Sequence, residues 1–417
     1  AVGERVGKPP VSVTAPDGFV AAGGPIGIKA GNAPDLAIVA TADGRPVPAA
    51  GVFTANLAPA APVQVSRAHL AATGGHAAAV VLTSGNANAA TGEPGRRAAG
   101  RLCELVADGL GTAAEHVLVC QTGLIGVPFP IGVVEAGVAP VVAARAPTER
   151  AGQAAATAIM TTDTVRKEAV VRVGGAGAGA RAGFTVGGMA KGAAMLAPRM
   201  ATMLAVLTTD AQADPATLYR VLCDAVSPSF NSMTVDGCMS TNDTVLLLAN
   251  GRSGRADPAA LAVAVREVCC SLAEQMVADA EGATKVVHIE VTGASTDAEA
   301  HAAARRVADS LLVKCSLHGA DPYWGRVVSE LGSAGVAFDP DRVSVAYGGV
   351  TVCSGGMAVG HEPGTARPEV SAAAAAAQHL EGRNVVIGCD LGIGSGAAVV
   401  LTTDLGYGYL DENVRTS

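Results

Sequence analysis

Short runs rich in β-branched and small apolar residues recur along the whole chain, and segments with helical spacing lie between them. The strand-like runs are Ala79–Thr83, His116–Cys120, Ala169–Val173, Met203–Thr208, Thr244–Ala249, Val286–Thr292, Val343–Tyr347, Val385–Asp390 and Ala397–Thr402. Helical patterns span Arg96–Leu110, Ala151–Ala158, Pro215–Ala225, Pro258–Asp279, Asp297–Leu311 and Ser371–Leu380. Strands and helices mixed in this way predict an α/β (α+β) protein with several sheets. What fills those layers is tightly limited, because apolar residues make up 49% of the chain and aromatics only 3%. The core must therefore be closely packed Ala, Val and Leu. A chain of 417 residues has room for two or three lobes, each with its own core.

Charge and cysteine usage exclude several classes. The net charge is −8 and no Lys/Arg cluster stands out, so nucleic acid is not an expected partner. No uninterrupted apolar stretch reaches about 18 residues, so no membrane span is expected. The segment Ala1–Pro10 has no apolar core of the secretory type. Nine cysteines, odd in number, scattered and without a Cys-x-x-Cys, predict reduced and mostly buried thiols in a cytoplasm. The eight histidines lack ligand spacing, so no metal is assigned, and no cofactor either. Gly174–Gly183 reads as a flexible linker; no helix with a ribose-binding acid follows it as a nucleotide cradle would require. Gly392–Gly396 joins two strands without an intervening helix and reads as a hairpin turn.

The most informative stretch is residues 191–210. Thr202 follows the small Ala201 and precedes the apolar run Met203–Leu207. Were the Ala201–Thr202 bond cut, one residue would carry both a hydroxyl and a free α-amine, and that amine can activate the otherwise weak hydroxyl nucleophile. Standing alone, such a threonine would be an ordinary strand residue.

It does not stand alone. Gly85-Asn86-Ala87-Asn88-Ala89-Ala90-Thr91-Gly92, Thr122-Gly123-Leu124-Ile125-Gly126 and Ile159-Met160-Thr161-Thr162-Asp163-Thr164 precede it, with Ser240-Thr241-Asn242-Asp243-Thr244, Asp279-Ala280-Glu281-Gly282 and Asp321-Pro322-Tyr323-Trp324-Gly325-Arg326 behind. In this order, over nearly the whole chain, they resemble the ornithine acetyltransferase family, the glutamate N-acetyltransferases of the arginine cycle. The resemblance implies self-cleavage between Ala201 and Thr202. Residues 1–201 would become an α chain and 202–417 a β chain, together forming one interlocked αβ unit of layered sheets and helices, assembled as a homo-oligomer. It implies ping-pong acetyl transfer from N2-acetyl-L-ornithine to L-glutamate, with small amino-acid substrates as the partners.

By the same resemblance Thr202 is the nucleophile and Thr122 with Gly123 the oxyanion hole. The pair follows the strand His116–Cys120, where backbone can turn out of a sheet; glycine lets a backbone N–H approach a ligand and the threonine hydroxyl can donate a second bond. Thr162 (with Thr161 a close rival for the register), Lys191, Thr202, Glu281, Asn413 and Ser417 are implied substrate contacts. Lys191 offers a point charge to a carboxylate and Glu281 a carboxylate to the ammonium of ornithine, whereas either would by itself be an ordinary solvated surface charge. The word Asp321–Arg326 reads as structural support, with Arg326 pairing an acid.

The chain departs from the family pattern at Ala90 (commonly cysteine), Ala194 (glycine), Tyr323 (asparagine), and after Asn413, where the family's tyrosine is lacking. Related chemistries therefore stay open: an acyltransferase of a specialised pathway with another donor or acceptor, or an amidase passing its acyl group to water. An unprocessed, non-catalytic scaffold is the third alternative, against which Thr202, Thr122, Gly123 and Lys191 all argue.

Overall fold

The computed structural model describes residues 11–174, 183–195, 203–359 and 370–414. They divide into two compact units: Ala1–Gly192 with Arg199–Phe230 and Met239–Ala273, and Ala193–Pro198 with Asn231–Cys238 and Glu274–Ser417.

In chain order the elements up to Ala278 are β1 (Phe19–Gly24), β2 (Leu36–Thr41), β3 (Val47–Phe53), α1 (Ala61–Ala72), β4 (His76–Ala77), β5 (Ala79–Asn86), α2 (Gly92–Leu110) and β6 (Val117–Leu124). They continue with α3 (Ile131–Ala143), α4 (Glu149–Ala158), β7 (Lys167–Val173), β8 (Phe184–Lys191), β9 (Leu204–Thr209), α5 (Pro215–Val226), β10 (Thr244–Ala249) and α6 (Pro258–Ala278). Two sheets form in the first unit, ordered β1-β2-β5-β6 and β4-β3-β10-β9-β8-β7.

The first sheet is buried on both faces, and the strand period sorts its residues between two cores. Leu36, Ile38, Val81, Val117 and Val119 face a core shared with Leu102 and Val106 of α2 and Val138 of α3. Their neighbours Val39, Val80, Leu82 and Leu118 face a core shared with α4 and with Met189, Val206 and Leu246 of the second sheet. Both cores consist chiefly of Ala, Val and Leu, as the composition requires. In the second sheet the adjacent β9 and β10, from after Thr202, lie between β8 and β3, from before it, within one hydrogen-bonded layer. That interleaving is the sense in which the two segments interlock.

Strand β6 closes the first sheet at one side, and α1 covers its edge. Ser66 Oγ donates to the Val119 carbonyl at 2.7 Å and accepts the Val119 N–H at 2.8 Å, while His69 Nδ1 lies 2.8 Å from the Val117 carbonyl. Residues three apart on a helix meet residues two apart on a strand, and the open ladder is satisfied without another strand.

The second unit contains β11 (Val286–Ala294), α7 (Asp297–Ala308), α8 (Leu311–His318), α9 (Gly325–Gly332), β12 (Ser344–Tyr347), β13 (Val350–Ser354), β14 (Met357–Ala358), α10 (Val370–Glu381), β15 (Asn384–Asp390), β16 (Gly396–Thr403) and α11 (Tyr407–Asn413). Its sheet runs β14-β13-β12-β15-β11-β16. Val287, Ile289, Val307, Val345 and Ile387 centre its core.

All nine strands and all six helical segments expected from the sequence are present, with boundary shifts of a few residues. Three expectations are corrected. Thr122 and Gly123 do not follow their strand but belong to it, because β6 continues to Leu124 beside β5. The helix expected over Asp297–Leu311 stops at Ala308, and Ser310 accepts the Val313 N–H to start α8. Gly392–Gly396 is not a hairpin turn: β15 and β16 lie on opposite sides of β11, and the connection passes over the end of β11, donating from Leu391, Ile393 and Gly394 to the carbonyls of Thr292 and Gly293. Periodicity marks a strand but not its neighbour. Most of the linker Gly174–Gly183 lies outside the described residues.

None of the nine cysteines is paired in a disulfide, and five of them are buried. Among the described residues no helix is long and apolar enough to cross a membrane.

Ser66→Ala strands one buried N–H and one carbonyl, and should cost about 2–4 kcal/mol by urea denaturation. An unchanged urea midpoint would show that water replaces the serine at this edge.

Candidate active site

A buried carboxylate organises the first unit's chemistry. Asp163, in the word that follows α4, accepts from Lys167 Nζ at 2.7 Å and the Gly192 N–H at 2.8 Å through Oδ1, and from the Thr161 N–H at 3.0 Å through Oδ2. Lys191 Nζ lies 3.9 Å from Oδ2. Burial pushes the Asp163 carboxyl up, but the positive charges of Lys191 and Lys167 outweigh it and hold the group down at about 2. Lys191 is 4% exposed, so it is not the solvated surface charge that an isolated lysine would be.

Lys191 closes β8 and donates to Thr161 Oγ1 at 2.7 Å and to Thr122 Oγ1 at 3.3 Å. The Thr122 oxygen is thus engaged as an acceptor while its O–H remains a donor for a ligand, polarised by the ammonium behind it. Thr122 is buried and the adjoining Gly123 is exposed. Gly123 has φ +133°, and a Cβ there would sit 2.3 Å from the Gly85 carbonyl carbon. Only glycine fits, and the β5–β6 register shifts at this point, which takes backbone out of the ladder.

The sequence words surrounding the pair form one polar network. Asn242 Nδ2 donates to the carbonyls of Ala87 and Gln121 at 2.6 and 2.8 Å. Asn88 Nδ2 donates to Gln121 Oε1 and the Gly95 carbonyl, and Gln121 Nε2 to Thr83 Oγ1. Asn88 and Ala90 hold positive φ angles of +48° and +55°. The position where cysteine was expected is therefore a left-handed turn that alanine adopts at a cost of about 1–2 kcal/mol.

Ala201 and Thr202 lie outside the described residues, but their neighbours do not. Lys191 pairs with Leu204 in the β8–β9 register. The Met203 N–H, which belongs to the peptide bond following Thr202, donates to Asp243 Oδ1 at 2.8 Å. Asp243 is 1% exposed and its Oδ2 has no hydrogen-bond partner among the described residues. Burial raises the pKa of its carboxyl well above the ordinary value, against the Met203 N–H and the charge of Lys191. The sequence pattern assigns Asp243 no role of its own; its place in the 240–244 word was the available signal.

Thr162 is exposed, and it is its rival Thr161 that contacts Lys191. Lys29, absent from the sequence expectations, donates to the Met160 carbonyl one residue from Thr161. Burial lowers its pKa, partly offset by Asp35. In the second unit, Asn413 Nδ2 donates to Glu281 Oε2 at 2.7 Å, bringing two expected substrate contacts together. Gly282, with φ +63°, lets α11 pass, since a Cβ would lie 2.1 Å from the Tyr409 nitrogen. The Glu281 N–H donates to the Ala193 carbonyl at 2.9 Å. Ser417 lies outside the described residues. Arg326 donates to the Leu312 carbonyl at 2.8 Å, where pairing with an acid was expected, and Trp324 packs on the second unit's core.

The sequence matches the ArgJ family over residues 20–416. This chain belongs to the ArgJ family. The arginine biosynthesis bifunctional protein ArgJ of Streptomyces coelicolor is 47% identical over 404 residues, covering 97% of this chain and 99% of that one. The protein of the same name from Mycobacterium tuberculosis is 46% identical, covering 96% and 95%. Among solved structures, an ornithine acetyltransferase from Mycobacterium tuberculosis, complexed with ornithine, is 42% identical over 46% of this chain and 96% of that chain, with a TM-score of 0.41. The ArgJ match spans every word in the network around Thr122 and Lys191.

Asp163→Asn leaves two buried ammonium groups without their carboxylate and should cost about 3–5 kcal/mol at pH 7 in urea denaturation. Asp163 is depressed from 3.8 to about 2 on folding, so its stabilisation is complete above 3.8 and is lost as pH falls through 2. The wild-type stability slope between pH 4 and pH 2 should flatten in the variant; an unchanged slope would assign the acid sensitivity elsewhere.

Proposed function

We propose that this chain cleaves itself between Ala201 and Thr202 and then carries the acyl group on Thr202 Oγ. As a member of the ArgJ family it is an acyltransferase that moves an acetyl group from N2-acetyl-L-ornithine to L-glutamate. The observation that carries the residue assignment is the Lys191 corner. Lys191 holds the Thr122 hydroxyl at 3.3 Å and pairs in register with Leu204, two residues beyond Thr202.

In the precursor, Thr202 Oγ attacks the Ala201 carbonyl, the Ala201–Thr202 C–N bond breaks to free the α-amine, and water hydrolyses the resulting ester to release the Oγ hydroxyl and the Ala201 carboxylate. That amine then takes the Oγ proton as Oγ attacks the acetyl carbonyl of the donor. Negative charge grows on the carbonyl oxygen, where the Thr122 O–H and the Gly123 backbone supply donors. Collapse expels the ornithine amine with the proton and leaves an acetyl ester on Thr202. The glutamate amine attacks that ester, and N-acetylglutamate departs as the hydroxyl recovers its proton. Asp243 supports the amine as base. Its buried carboxyl accepts the Met203 N–H, which anchors the backbone next to that amine.

Lys191 with Thr161 or Thr162 would hold a substrate carboxylate, and Glu281 with Asn413 and Ser417 the ornithine side chain. We infer that the enzyme works as an αβ pair assembled into a homo-oligomer, in the cytoplasm, where its nine cysteine thiols stay reduced.

Thr202→Ala should remain one chain by intact-mass analysis while the wild type gives two; an active single-chain enzyme would overturn the proposal. Thr122→Ala should lower kcat by about a hundredfold with KM nearly unchanged, the usual scale for one lost oxyanion donor. An effect confined to KM would make Thr122 a binding residue. Double-reciprocal plots should be parallel, with an acetyl mass adduct on the fragment that begins at Thr202.

A further inference from the structure

Lys29 is fixed at the same corner by a device of its own. The buried Asp35 carboxylate accepts the backbone N–H groups of Ile26, Gly27, Ile28 and Lys29, at 2.7, 3.1, 2.6 and 2.9 Å. That clamp leaves the Lys29 backbone little freedom. Its side chain runs over Gly85, where a Cβ would meet Lys29 Cγ at 3.0 Å, and Gly85 is paired with Gly123. The stem therefore crosses the strand beside the proposed oxyanion site, and no other residue type at 85 would leave it that path without displacement.

The ammonium reaches the Met160 carbonyl at 2.6 Å and the Pro34 carbonyl at 3.0 Å. Its third proton has no acceptor among the described residues, and the group is half-buried. Thr161, next after Met160, takes Lys191. Two ammonium groups thus flank one peptide link. The carboxylates nearby are already engaged: Asp35 by four backbone N–H groups, and Asp163 by Lys167, Gly192 and Thr161. Lys29, half-buried and with its third proton unshared among the described residues, lies close enough to Lys191 for the two charges to repel, and a partly desolvated pair of cations calls for an anionic ligand.

One carboxylate is common to ornithine and glutamate and suits Lys191. A second exists only on glutamate. We propose that Lys29 is the acceptor-specificity residue, binding the side-chain carboxylate that glutamate has and ornithine lacks. It opposes the cationic side chain of ornithine by like charge, so after acetyl transfer to the enzyme the leaving amino acid is replaced by the dicarboxylate. This rests on the acetyl-Thr202 reading.

The test is steady-state kinetics of the processed Lys29→Met and Lys29→Arg enzymes, with the acetyl-enzyme followed by mass. In Lys29→Met, KM for glutamate should rise by about tenfold or more while KM for N2-acetyl-L-ornithine holds or falls as the like-charge repulsion is removed, and Lys29→Arg should recover most of the loss. Equal rises for both substrates, or a loss of kcat alone, would overturn the proposal. Should Lys29→Met fail to fold, the unmodified enzyme decides: glutarate should compete with glutamate at least about tenfold more tightly than butyrate, and equal inhibition would overturn the assignment. A missing acetyl adduct in the wild type would refute the acetyl-Thr202 reading. An adduct present in all variants, with the glutamate KM unmoved, would refute Lys29 alone.

Discussion

The first unit's chemistry hangs on one buried carboxylate. Asp163 gathers Lys167 from the start of β7, the Gly192 N–H and the Lys191 ammonium from the end of β8, and the Thr161 N–H from its own loop. Charges taken out of water must be paired and hydrogen-bonded to persist, and here each remaining acceptor site is used. The consequence reaches beyond electrostatics. A fixed Lys191 fixes which way the Thr122 hydroxyl can donate, and so turns a strand threonine into a directed donor.

A second constraint holds the backbone around that donor. Strand β6 is an edge strand whose far side is closed by α1, while its C-terminal end is tied down by Asn242, Asn88 and Gln121. These side chains bond mainly to carbonyls and to one another, which explains why words 155 residues apart in the chain act together. A polar network of this kind is costly unless complete, and each member here meets partners at hydrogen-bond distance. It holds a bulge at Gly123 that would otherwise relax into regular pairing.

Much of this was legible beforehand. The nine strand-like runs and six helical patterns are real elements, and the sparse aromatics imply the Ala, Val and Leu cores that form. Thr122, Gly123 and Lys191 do meet, as do Glu281 and Asn413. Legibility failed where local pattern carries no partner information. Strand β8 was not among the expected strands, because Gly187 and Gly188 carry no side chain to show a period. They do so for tertiary reasons: a Cβ on Gly188 would press on Val268 at 2.8 Å. Lys29 was missed because one lysine in a loop has no period or spacing, and only the Asp35 clamp reveals it.

The sequence by itself determined the family, the nucleophile candidate and the residue types that the chemistry needs, since motif words survive as covalent order. Tertiary structure decided which of them touch. It placed β9 and β10 between strands from before Thr202, and set β15 and β16 on opposite sides of β11. It also chose Thr161 over Thr162 as the contact of Lys191. Sheet order and side-chain pairing depend on contacts between residues far apart in the chain, and a pattern with a period of two or 3.6 residues encodes a face but not what that face will meet.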